Sequence, residues 1–273
     1  MIFIKSDILN LVYEGDVGIL RFKALSKYDF INHAVSTRHG GVSVSRGLEK
    51  MNLGTYTSDD FDNVKQNYRL FCKAAGFDAK RVVLGNQTHE LNVRYVTESD
   101  CGKGVFCNRD YNSVDALVTD VKNIPLVIHT ADCVPVSLID TSKKVIGCAH
   151  CGWRGTYGRL AALTLDVMIN KFQTNPCDIV ATVGPCICGD CYEVSEDLYT
   201  NFAERFNSSC LVNNNGYYID LAGLNKKILA DCGVPEDNII VSDICTCCNT
   251  DLLFSHRGQG PERGIFATFL QLV

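Results

Sequence analysis

No run of five or six like charges occurs anywhere in the 273 residues, and the formal net charge is −5. Nucleic-acid backbones and anionic membranes reward a clustered basic face, so neither is expected as the main partner and a small-molecule substrate is. No stretch approaches the roughly eighteen apolar residues that a membrane span requires. The opening Met1-Ile2-Phe3-Ile4-Lys5-Ser6-Asp7 lacks a basic region followed by a long apolar run, so no export signal is read there and a cytoplasmic location is expected. No Pro/Gly/Ser linker, low-complexity tract or internal repeat divides the sequence, which is expected to form one domain over residues 1–273. Histidine is scarce: the six present show no HxH spacing, which argues against the many-histidine sites of multicopper oxidases.

Cysteine, in turn, is abundant and odd in number, at 15. Without an export signal, these are read as reduced thiols in a reducing cytosol rather than as a disulfide framework. With 46% hydrophobic and 21% charged residues, the chain has an ordinary globular balance and enough length to bury a sizeable core.

Short β-rich runs recur at residues 18–22, 31–37, 81–84, 92–96, 116–119, 126–130, 134–139, 145–149, 179–183, 217–220, 239–241 and 264–270. Several are continuously apolar, which suits strands covered on both faces. Ser58-Asp59-Asp60 can cap a helix that places Val64, Tyr68, Phe71 and Ala75 on one face and ends at Gly76. Further helices are expected over 159–172, 194–206 and 221–232. More strands than helices, unevenly interleaved, point to an α+β protein with packed sheets and helices outside.

The densest polar signal within apolar sequence lies between Gln87 and Arg154. Asn86-Gln87-Thr88-His89-Glu90 closes one expected strand, and Thr130-Ala131-Asp132-Cys133-Val134-Pro135 joins two apolar runs. Ala149-His150-Cys151-Gly152-Trp153-Arg154-Gly155 closes another strand and opens a helix. Each puts a His or Cys at a strand end, where a rigid element aims it and a loop leaves room for a ligand. Two imidazoles and one thiolate are a borderline-soft set suited to zinc, and three protein ligands leave a fourth position open, as in catalytic sites. The spacings, 44 and 17 residues, are too wide for a finger motif. Spacing alone leaves core or hydrogen-bonding roles open for all three.

Read together, these segments resemble the laccase-domain family, also called the YfiH or peptidoglycan-editing-factor family, which is unrelated to the multicopper oxidases and has a human relative that is a purine nucleoside enzyme. The matching stretches are Thr37-Arg38-His39-Gly40-Gly41-Val42-Ser43, Met51-Asn52-Leu53-Gly54, Asn86-Gln87-Thr88-His89 and Asp115-Ala116-Leu117-Val118-Thr119-Asp120. They continue with Ala131-Asp132-Cys133-Val134-Pro135, His150-Cys151-Gly152-Trp153-Arg154-Gly155, Gly184-Pro185-Cys186-Ile187 with Tyr192-Glu193-Val194, and Phe254-Ser255-His256-Arg257. The resemblance implies an αββα-type sandwich of mixed β-sheets flanked by helices, shared with certain toxins, and a zinc held by His89, Cys133 and His150. It also implies phosphorolysis of adenosine, inosine, guanosine and methylthioadenosine, and deamination of adenosine, in one pocket. Thr88 and Glu90 stand where the family usually has Val and Gly, and Cys151 where a small Ala is usual, which bears on pocket charge and substrate preference.

The residues suggest how such chemistry would run. Zinc lowers the pKa of bound water toward ~7, giving a hydroxide able to attack C6 of adenine. Phosphorolysis needs an anion site beside C1′ of the ribose, and Arg38 followed by Gly40-Gly41 offers a guanidinium fork and backbone donors for phosphate, though a surface arginine in a glycine turn reads the same way. Cys133, His89, His150 and Arg38 are thus the catalytic candidates. Asn52, Gln87, Asp132 and Arg154 are candidates for substrate contact, with loop capping or packing the competing role for each. His256, Arg257 and Arg263 around Gly258-Gln259-Gly260 could close the pocket.

Two other readings stay open. Cys133 and His150 could form a thiolate–imidazole pair for hydrolysis, including the editing of muramyl peptidoglycan precursors. A redox or cluster protein is the other: Cys186, Cys188 and Cys191 with Cys245, Cys247 and Cys248 supply enough thiolates for a further zinc or an iron–sulfur centre. Oligomeric state is not legible.

Overall fold

The strand Leu126–Thr130 carries the plan of the molecule in three residues. Leu126 and Ile128 enter one apolar cluster while Val127, pointing the other way, enters a second. A strand so covered on both faces lies between two layers. In the computed structural model, which describes residues 5–213 and 215–273, that strand belongs to a six-stranded sheet. The first four residues, on which the N-terminal reading partly rests, lie outside the described residues.

Across this first sheet the strands run Leu9–Glu14, Val17–Phe22, Ile31–Ser36, Phe266–Leu272, Leu126–Thr130 and Val83–Leu84. All neighbours are antiparallel except the last pair. The second sheet runs Ile239–Val241, Ile179–Val183, Val134–Asp140, Val145–Cys151, Ala116–Thr119 and Val93–Tyr95, antiparallel inside and parallel at both edges. Leu20, Val35 and Phe266 of the first sheet meet Leu117, Ile146 and Val180 of the second in a shared core. The helix Phe61–Ala75 covers the outside of the first sheet through Val64, Tyr68 and Phe71. The helices Leu160–Phe172 and Leu221–Asp231 cover the outside of the second through Leu165, Met168, Leu224 and Ile228. The result is the αββα sandwich of mixed sheets that the resemblance implied. A three-stranded sheet of Glu193–Val194, Tyr217–Ile219 and Leu211–Asn213 stands beside it. No helix among the described residues is long and apolar enough to cross a membrane.

The longest helix follows its sequence signals. The Asp60 side chain accepts from the Asp62 N–H at one end, and Gly76 takes the left-handed conformation (φ 81°) at the other. Elsewhere the boundaries moved for identifiable reasons. Arg81 belongs to a one-turn helix, Ala79–Arg81, whose cap is the Asp78 side chain, so the expected strand at 81–84 begins only at Val83. The last strand begins at Phe266 because Gly264 and Ile265 hydrogen-bond outside the ladder, to the Gly47 carbonyl and the Asn52 side chain. The edge strand Leu9–Glu14 went unread because alternate residues face solvent in a mixed polar run. Two short helices, Trp153–Tyr157 and His256–Gln259, flank the site.

Candidate active site

Asp115 organises the site. It precedes the strand Ala116–Thr119, is fully buried, and offers four acceptor positions that are all taken. One carboxylate oxygen accepts from the His89 N–H at 3.0 Å and faces His150 Nδ1 at 2.9 Å. The other accepts from the Thr88 and Glu90 N–H groups, each at 3.0 Å. Three successive backbone donors closing on one carboxylate hold the 88–90 loop in a shape that puts His89 at φ 64°. The hydrogen bond to Nδ1 fixes the His150 ring and leaves Nε2 for the site.

Sheet register brings the other ligands in. His150 lies opposite Pro135 on neighbouring strands, and Ala149 lies opposite Ala116, so Asp115, His150 and Cys133 come together at one end of the second sheet. Between Thr130 and Val134 the chain crosses from the first sheet to the second, with Asp132 at φ 95° and Cys133 on the seam. A ligand atom from each of His89, Cys133 and His150 lies within 4.8 Å of the others, close enough to share one ion.

Two observations test whether these residues fit a metal. His89 Nδ1 is buried with no hydrogen-bond partner, a costly state that coordination would relieve. At Gly152 an added Cβ would sit 2.9 Å from Cys133 Sγ and 3.0 Å from His89 Nδ1, so the glycine keeps the space between the two donors open. With a borderline-soft N,N,S donor set, the residues fit zinc.

Electrostatics point the same way. Burial alone would lower the His150 pKa, but the neighbouring Cys133 and Asp115 outweigh it and raise the value to about 9. The Cys133 and Asp115 surroundings thus favour a positive charge at His150. A raised folded pKa gives stability that is complete below the free-imidazole value near 6.5 and lost as pH climbs through about 9. Metal-free protein is thus expected to lose thermal stability between pH 6.5 and 9, a loss that His150→Gln should flatten in a pH series of melting curves. His89 shifts downward, first from burial and then from the nearby His150, so it is ready to donate a lone pair.

The three donors line a cavity of about 410 Å³. Tyr56, Trp153 and Tyr192 give it aromatic walls, Arg154, Arg257 and Arg263 give it positive charge, and His256 lines it as well. Gln87 lines it but spends its amide on the backbone of His129, donating at 2.7 Å and accepting at 2.8 Å. Asp132 is likewise an organiser: its carboxylate accepts from the Thr246 and Ser255 hydroxyls and from the Arg257 N–H, each at 2.6 Å. His129, buried and hydrogen-bonded to the Tyr68 hydroxyl at 2.6 Å, is pushed down to about 3 by burial and stays neutral.

Arg38 and Asn52 are not brought to this cavity. The Arg38 guanidinium donates to the Thr250 carbonyl at 2.7 Å, pairs with Glu49 at 3.6 Å and lies over the Phe254 ring at 4.8 Å. Asn52 is fully buried, its amide donating to Thr57 and Asp59 and accepting from the Gly54 and Ile265 N–H groups. Neither residue lines this cavity; the Arg38 guanidinium and the Asn52 amide are engaged by the protein instead. Glu90 and Cys151 also lie off the cavity lining. Sequence reasoning assigned no role to Asp115, although a carboxylate opening the apolar run Ala116-Leu117-Val118 was a usable signal.

A four-layer sandwich with a His–Cys–His cluster at the seam of its sheets defines the class. The chain belongs to the family described as multi-copper polyphenol oxidoreductase laccase, which it matches over residues 32–273. It is similar to purine nucleoside phosphorylase YlmD of Bacillus subtilis, with 33% identity over 243 residues covering 86% of each chain. It is also similar to an adenosine deaminase from an unknown prokaryotic organism, with 33% identity covering 88% of this chain and 95% of that one. The crystal structure of YlmD from Geobacillus stearothermophilus superposes with a TM-score of 0.89 at 30% identity, covering 97% of this chain and 99% of that chain.

Proposed function

We propose that this protein is a zinc-dependent purine nucleoside enzyme, which phosphorolyses adenosine, inosine, guanosine and methylthioadenosine and deaminates adenosine in one pocket. The observation that carries the reading is the meeting of His89, Cys133 and His150 on the wall of a cavity with both aromatic and cationic faces. The names of the similar proteins supply the substrate class. When bound, zinc supplies Lewis-acid polarisation at the coordination position its three protein ligands leave open.

The chain's own residues do the rest. Asp115 orients His150 and pins the loop of His89. Tyr56 and Tyr192 offer faces against which a planar base can stack. Phosphate requires cations beside the ribose, and Arg154 is the best placed: it stacks over Trp153 at 4.1 Å and, among the described residues, forms no ion pair. Arg257 is tied by its guanidinium to the Cys191 and Glu193 carbonyls and shapes the wall instead.

The test is phosphate-dependent release of hypoxanthine from inosine, alongside conversion of adenosine to inosine. Arg154→Ala should reduce phosphorolysis about 10- to 100-fold, the cost of one charge-assisted contact, with deamination less affected. Arg38→Ala should leave the ratio of the two activities unchanged. Equal loss of both activities in Arg154→Ala would remove the phosphate role.

A second reading is favoured by one contact. The bond from Asp115 to His150, with Cys133 beside it, is also the order of a Cys–His–Asp hydrolase, the chemistry a muramyl-precursor editor would use. In that case His89 is dispensable, chelators leave activity intact, and UDP-muramyl-L-serine rather than adenosine is turned over. The unpartnered His89 Nδ1 weighs against it.

A further inference from the structure

We infer that Cys188, Cys191, Cys245 and Cys248 form a second metal site, a four-thiolate structural zinc centre behind the wall of the cavity. The four sulfurs all lie within 4.8 Å of one another. They come as two pairs of the same spacing, Cys188-Gly189-Asp190-Cys191 and Cys245-Thr246-Cys247-Cys248. A chain of this spacing can fold round one ion, presenting two sulfurs from each turn. Tetrahedral zinc with Zn–S bonds of ~2.3 Å sets its sulfurs about 3.8 Å apart. Cys191 Sγ lies 3.4 Å from Cys248 Sγ, near that spacing. An iron–sulfur cluster interposes its own irons and sulfides and needs the thiolates held further apart.

The surroundings suit a charged thiolate centre. Zinc with four thiolates carries a net charge of −2, which requires nearby donors. The Cys188 N–H donates to Cys245 Sγ at 3.3 Å, and the Arg257 guanidinium is anchored on the Cys191 carbonyl at 3.0 Å. The backbones of the two segments already pair, with the Thr246 N–H donating to the Cys186 carbonyl at 2.9 Å. Cys186 and Cys247 stay outside the group: the first is buried in the apolar core beneath the second sheet, and the second does not converge with the four.

The position gives the centre a purpose. It joins segments 57 residues apart, each of which feeds the cavity. Thr246, held between two cysteines of the second turn, donates to the Asp132 carboxylate beside Cys133. Ile187 and Tyr192, on either side of the first turn, line the cavity itself. A metal here would clamp the wall that carries Arg257.

The inference does not depend on the purine reading, and the two can fail separately. Protein purified under reducing, anaerobic conditions should carry two zinc ions per chain by plasma mass spectrometry. Cys133→Ser should retain one of them, and Cys191→Ser with Cys248→Ser should retain the other. Cobalt exchanged into His89→Ala protein reads the second centre without disturbing its cysteines, and should give the strong near-ultraviolet sulfur-to-cobalt band and visible bands of a tetrahedral four-thiolate site. Absence of those bands, no zinc left in Cys133→Ser, or iron with visible absorbance in place of zinc would each overturn the assignment.

Discussion

His89→Ala is expected to weaken zinc binding by on the order of 10²- to 10³-fold and to lower both phosphorolysis and deamination in step. A structural zinc with four protein ligands binds with about 10–16 kcal/mol, so each ligand contributes roughly 2.5–4 kcal/mol. Removing one of three leaves an ion held by Cys133 and His150 alone, too few to keep it through purification. The alanine also removes the buried Nδ1 that has no partner in the metal-free chain, so the fold itself should suffer little. That separates the two readings of the site. If melting temperature and activity both survive, and a chelator leaves the wild type active, Cys133 works with His150 and Asp115 and the metal reading falls.

Asp115→Asn is expected to cost about 3 kcal/mol or more of stability and to weaken metal binding about 10- to 100-fold. The carboxylate faces donors on both oxygens: His89 N–H and the His150 ring on one, Thr88 and Glu90 N–H on the other. An amide has only one acceptor, so whichever way it flips its NH2 opposes backbone donors in a buried place. Hydrogen bonds to a charged group are worth ~1.5–3 kcal/mol each, and an outer partner of a metal-binding histidine commonly sets 10–100-fold in affinity. Burial would raise the Asp115 pKa, but the bond to His150 and the backbone donors outweigh it and hold the value below the usual carboxylate range. A depressed folded pKa gives stability that is present above the unfolded value and disappears as pH falls through the folded one. The gap in melting temperature between wild type and Asp115→Asn should therefore be wide near neutrality and shrink in acid. A gap independent of pH would show that packing, and not the charge, matters there.

The layered fold was legible because it is written in local patterns, whereas the His–Cys–His set was singled out by the family resemblance. Apolar runs marked most of the strands, and each of His89, Cys133 and His150 stood at the end of one. The helix Phe61–Ala75 was bounded by residues that cap it, Asp60 through its side chain and Gly76 through its left-handed backbone. What the sequence did not show was where polar residues whose partners lie far along the chain would sit. Arg38 beside Gly40-Gly41 looks like an anion site, yet its guanidinium bonds a carbonyl 212 residues away. Asn52 serves Ile265 at a separation of 213. The cationic face of the cavity comes from Arg154, Arg257 and Arg263, which the sequence had offered as contact and pocket-closing candidates. The six candidate thiols were visible, but which four converge depended on how two distant turns pair.

The crossing between Thr130 and Val134 ties catalysis to the architecture. His89 hangs from the loop after a strand of one layer, His150 belongs to a strand of the other, and Cys133 lies on the chain that passes between them. A one-residue slip of either layer past its neighbour would pull the donors apart, so the interior contacts of Leu20, Ile146 and their neighbours act as alignment pins for the three donors. Variants far from the cavity that loosen this interior should reveal themselves first as leaky metal retention, before the chain shows any tendency to unfold.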